Sequence, residues 1–177
     1  MIICFAIRFL TMRVNNIALN YSIMPKSANN KIRTLTTILW LSLLTGTLDG
    51  VAAILLNLSL GTETIFRYIA SGVFSRAAFE GGTEMIVSGV IFHYLIAILF
   101  TTAFYRLYPL FNTVFKNKYI VAIVFGALAW VVMNIVVIPL SKIGPHPIKI
   151  QDVITGLFAL ILCLGLPVAT VADKQNN

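Results

Sequence analysis

Apolar residues run through this chain in four long blocks, separated by shorter stretches that gather most of the charges. The blocks extend from Thr34 to Leu60, Met85 to Leu110, Tyr119 to Leu140 and Asp152 to Val171. Each matches the roughly 20 helical residues that cross a hydrocarbon layer about 30 Å thick. None alternates apolar and polar positions in the way of barrel strands, and a backbone in lipid must close its own hydrogen bonds, so the blocks predict helices. The expected fold is all-α: an integral membrane bundle of four transmembrane helices over residues 34–172, flanked by tails at 1–33 and 173–177.

The segment Gly61 to Glu84, between the first two spans, is neither a span nor a plain loop. Ile65, Phe66, Ile69, Val73, Phe74 and Ala77 recur at helical spacing, and Glu63 with Arg67, and Arg76 with Glu80, stand four residues apart. Gly81 and Gly82 then stop the pattern. This predicts a short amphipathic helix lying on, or dipping into, the outer face of the bilayer, either as a seat for the connection or as a re-entrant gate. The link between spans three and four carries Pro145 and Pro147 around an exposed His146, while Pro139 and Pro167 are expected to bend or end their spans. The apolar start, Met1 to Leu10, is too short to span and lacks the small-residue cleavage site of a signal peptide. Met24 opens a basic leader, MPKSANNKIR, and stands as an alternative start beside the reading of residues 1–23 as a genuine tail.

Composition agrees with a membrane class, since 59% of the 177 residues are hydrophobic and only 11% are charged. The net charge of +7 does not form a basic groove for nucleic acid, because Lys and Arg gather between the apolar blocks and at the N-terminus. Nine of them fall on the side of the two termini and the link between spans two and three. Arg67, Arg76, Lys142 and Lys149 fall on the other, which places both termini in the cytoplasm. Cys4 and Cys163 offer neither a disulfide framework nor a zinc spacing, and His93 and His146 alone make no metal site. No phosphate loop, nucleophile elbow or HExxH motif occurs, so no enzyme, cofactor or metal is expected.

Candidate chemistry lies in the polar intrusions of the spans. Asp49 sits well inside the first, where a carboxylate at the bilayer centre costs about 2.5 to 3.5 kcal/mol on insertion scales. Its helical neighbours Ser42, Thr45, Gly46, Ala52 and Ala53 are small or weakly polar, and Gly46 with Gly50 forms a GxxxG spacing that permits close helix approach. His93 in the second span continues through Gly89, Ala97 and Thr101, and Asn134 is the principal polar residue of the third. At 1.5 Å per residue, Asp49, His93 and Asn134 lie about 16, 12 and 10 Å below the outer ends of their spans, so they share one layer. Such a layer can bind a proton or a small polar solute, or act as a static clamp that fixes helix register. Arg67, with Arg76, can draw an anion toward the layer, or simply snorkel beside Glu63. Besides the lipid bilayer, a homo-oligomer is the expected partner, because a transport path enclosed by one four-span subunit would be narrow.

The segments YIASGVFSRAAFEGG, GVIFHYLIA, VMNIVVIPLS and CLGLPVA together resemble a family of small bacterial inner-membrane proteins of unknown function and, more distantly, the YagU-like group. The resemblance covers Thr34 to Val171 and implies four helices in a bacterial cytoplasmic membrane. It carries no activity onto any residue.

Overall fold

The computed structural model describes residues 26–144 and 149–176; the apolar start, Cys4, Met24 and His146 lie outside them. Residues up to Thr37 form one unit and Ile38–Asn177 a second. In the first, the chain is helical from Lys26, and Thr34 and Thr36 donate their hydroxyls to the carbonyls of Asn30 and Ile32.

Four helices are long and apolar enough to cross a membrane, and no strand occurs among the described residues. They are α1 (Lys26–Leu56), α4 (Thr83–Phe115), α5 (Lys118–Leu140) and α6 (Ile150–Gln175). The connector forms α2 (Thr62–Phe74) and α3 (Ala77–Glu80). The first span ends sooner than hydropathy predicts, because Leu58–Leu60 tighten into a 3-10 turn. The second runs on to Phe115, where Lys116 takes a left-handed conformation at φ 50° and closes the helix. Asn117 then accepts a hydrogen bond from the Tyr119 backbone N–H at 2.9 Å and starts α5, so a two-residue reversal joins the helices.

The outward and inward faces follow the solvent that the sequence predicts. Trp40, Leu99 and Phe158 are 69%, 69% and 64% exposed, which water would penalise and lipid does not. Inside, Ser42, Thr45 and Thr101 are buried, and Thr45 and Thr101 share a hydroxyl hydrogen bond of 2.9 Å between α1 and α4. The solid part of the core gathers toward the end where α4 meets α5. There Phe104 stacks on Phe125 at 4.7 Å, and Tyr108, Val121, Val168 and Ala172 are sealed from solvent. A polar clasp closes that end: Tyr108 donates to Asp173 at 2.9 Å, and Lys118 pairs with the same carboxylate at 3.5 Å.

Two glycines set the closest approaches. A Cβ on Gly165 of α6 would lie 2.1 Å from the carbonyl oxygen of Ala122 in α5, and one on Gly89 of α4 would lie 2.0 Å from that of Phe66 in α2. Only glycine permits such backbone contact. Both α5 and α6 widen into π-helical turns, at Val132–Val137 and at Ile161–Gly165, the second ending on the contact glycine itself, inside spans whose sequence gives no warning of them. Gly165→Val is expected to destabilise the detergent-purified protein by about 1 to 3 kcal/mol in a thermal melt, whereas lipid-facing Leu99→Ala stays within about 0.5 kcal/mol.

Candidate functional site: an intramembrane cavity at Asp49 and His93

The small residues of α1 exist to admit α4. A Cβ on Gly46 would meet the Tyr94 ring at 3.0 Å, and one on Gly50 would meet His93 Nε2 at 3.2 Å. His93 therefore lies directly over the missing side chain of Gly50. Its Nε2–H donates to the Gly46 carbonyl at 2.7 Å. Phe66 and Tyr94 stand edge-on to the imidazole, with centroids 6.3 and 5.5 Å away, and Tyr94 shares a 2.9 Å hydroxyl hydrogen bond with Thr47. The ring is thus fixed by α1, α2 and its own helix.

Beside it opens a cavity of about 400 Å³, within the range of small-molecule sites. Its walls come from α1, α2, α4, α5 and α6 and are mainly apolar, among them Phe92, Phe100, Met133 and Leu164. Asp49, His93, Thr45, Tyr68 and Ser141 are the side chains in that wall that bring polar atoms. Burial holds the Tyr68 phenol above its ordinary range, so it stays a neutral hydroxyl.

Asp49 differs from every other polar side chain of the layer. Ser42, Thr47 and Thr45 bond to carbonyls of their own helix, as does Asn134, whose amide donates to the Trp130 carbonyl at 2.9 Å. Asp49 has no hydrogen bond or ion pair among the described residues, yet His93 and Cys163 are both within its electrostatic range. No sealed side-chain oxygen or nitrogen among the described residues lacks a partner, so the unbonded Asp49 carboxylate must open onto the cavity rather than be enclosed by protein.

No family model matches the chain, and neither a curated protein nor a solved structure matches it. The site therefore rests on its own geometry. That geometry brings Asp49 and His93 together in one cavity, while Asn134 and Arg67 do not line it. Asn134 sits in the π-helical turn of α5, whose Met133 and Val137 line the cavity while Asn134 does not. Arg67 neither reaches the cavity nor pairs with Glu63; its guanidinium donates to the carbonyls of Ala78 and Gly81. The cause is a chain break at Ser75, at φ 55°, that folds α3 back and offers those carbonyls. Sequence reasoning missed Tyr68, Ser141 and Cys163. Tyr68 stands one helical turn before Gly72, and that glycine admits Ser141, whose Cβ lies 3.6 Å from the position a Gly72 Cβ would take. The Lys142 N–H also bonds the Gly72 carbonyl at 2.9 Å, which ties the start of the last loop to α2.

Among the described residues no group of His, Cys, Asp and Glu has the arrangement of a metal site. What the cavity can do is hold a largely apolar molecule against one carboxylate and one imidazole. Arg67→Met, which removes charged hydrogen bonds of about 1.5 to 3 kcal/mol, is expected to speed amide hydrogen exchange over residues 76–82 while the four spans keep their protection.

Proposed function

We propose that this multi-pass membrane protein binds a proton or a small polar solute at Asp49 and His93, inside the membrane. The observation that carries this reading is the contrast between the two groups. His93 donates to a carbonyl of α1, whereas Asp49 has no hydrogen bond or ion pair among the described residues and lines the cavity. An ionised carboxylate in such surroundings needs a counter-charge, and a site that withholds one from the protein is arranged for something that arrives. The membrane we propose is a bacterial cytoplasmic one, with both termini in the cytoplasm. The nine-to-four division of Lys and Arg supports the orientation, and the likeness to small bacterial inner-membrane proteins supports the compartment.

In this orientation the cavity occupies the outer half and the aromatic core fills the cytoplasmic half. Binding needs one subunit. Passage across the bilayer would need either an opening of the packed half or a second copy of the chain, and the homo-oligomer belongs to that version of the proposal.

A second reading, an accessory protein whose polar layer is only a clamp, draws on the His93–Gly46 and Thr45–Thr101 hydrogen bonds, which join α1 to α4 without any ligand. The two readings assign different stabilities to the same substitutions. On the binding reading, Asp49→Asn leaves the thermal melt unchanged or raises it, while His93→Ala destabilises by about 1 to 3 kcal/mol through its lost hydrogen bond and cavity. Melts of the wild type, both single variants and the double variant across pH decide the matter. Equal losses from the two single substitutions, with the double variant little worse than either, would show a coupled clamp and sink the binding reading.

A further inference from the structure

We propose that the cavity takes an amphiphilic cation, an apolar body carrying one ammonium-like group, with Asp49 as its counter-ion. The inference rests on the reading above that Asp49 binds a proton or an arriving solute, and narrows that solute to one whose polar part is a single charged group. Three features of the site point to it.

The first is volume and lining. A cavity of about 400 Å³ walled mainly by Phe92, Phe100, Met133 and Leu164 favours an apolar body and offers a highly polar solute few hydrogen bonds. The second is charge. The titratable groups that line the cavity or interact with Asp49 are His93 on α4, Tyr68 on α2 and Cys163 on α6, and none is a fixed cation. Arg67 on the connector does not line the cavity and is spent on the carbonyls of Ala78 and Gly81. An anionic ligand would meet the Asp49 carboxylate with no lysine or arginine in the lining, whereas a cation would find in Asp49 its counter-ion. The third is the engagement of His93 and the aromatic lining. The Nε2–H of His93 is already held by the Gly46 carbonyl, so that donor is not offered to an anion. Tyr68, Phe92 and Phe100 line the cavity, and aromatic faces add to the recognition of quaternary ammonium groups.

Proton and cation then compete for one carboxylate. Arrival of the cation releases the proton from Asp49, and protonation of Asp49 expels the cation, with one charge exchanged for one.

The test uses the full chain in nanodiscs of zwitterionic lipid and three probes of similar shape: benzyltrimethylammonium, its uncharged carbon isostere neopentylbenzene, and phenylmethanesulfonate. Titration calorimetry should find the ammonium bound at least about tenfold more tightly than either other probe, with affinity falling up to about tenfold per pH unit as the medium is acidified. Asp49→Asn should abolish the preference while still admitting neopentylbenzene, which shows an intact cavity, and Asp49→Glu should restore it. If neopentylbenzene or the sulfonate binds as tightly as the ammonium in the wild type, the cation assignment falls and the cavity as a ligand site stands. If none of the three binds, both fall.

Discussion

Hydrocarbon gives a polar group no partner, and most of this structure can be understood as the chain's means of meeting that constraint. The backbone meets it by forming helices. The serines and threonines meet it by bonding back to carbonyls of their own helices, as Ser42 does to Ile38 and Thr170 to Leu166. His93 meets it across an interface, at the Gly46 carbonyl, and the arrangement works because two glycines let α4 lie against α1. Each solution fixes a helix in place. Asp49 alone in the layer is left to the cavity, so the exception to the constraint and the candidate site coincide.

The same constraint divides the molecule into two kinds of interior. Where α4, α5 and α6 converge, aromatic stacking and buried aliphatic side chains form the core, and the Tyr108–Asp173–Lys118 clasp ties its end together. Toward the connector the helices part, α2 leans on α4 at Gly89, and the space beneath it stays open. A packed half gives the bundle much of its stability, and the open half has room for a polar group such as Asp49 that makes no bond to the protein among the described residues.

Hydropathy and length were enough to read the four spans and the class of the fold, because the energy that favours a long apolar helix in lipid is a property of local sequence. Depth can be read from a constant rise per residue, and that reading puts Asp49, His93 and Asn134 at one level. Azimuth was not. Whether two residues at one depth face each other depends on how each helix is rotated, and a π-helical turn at Val132–Val137 rotates the latter part of α5 without any mark in composition. Arg67 illustrates a second limit. Glu63 stands at the right spacing to hold it, but the reversal at Ser75 brings bare carbonyls closer, and a charged donor takes the acceptors that tertiary structure presents. The cavity itself belongs to no single segment; it is what remains between five helices, and volume between elements leaves no trace in any one of them.

The paired wide turns of α5 and α6 have a further consequence. Each inserts an extra residue's worth of rotation at the boundary between the filled half and the hollow half. Gly165, which meets the Ala122 carbonyl, closes the α6 turn, and Met133 and Val137 of the α5 turn line the cavity. Seam and pocket therefore share the same two turns. A residue gained or lost there would shift both at once, so the shape of the pocket is tied to the fit of the helices.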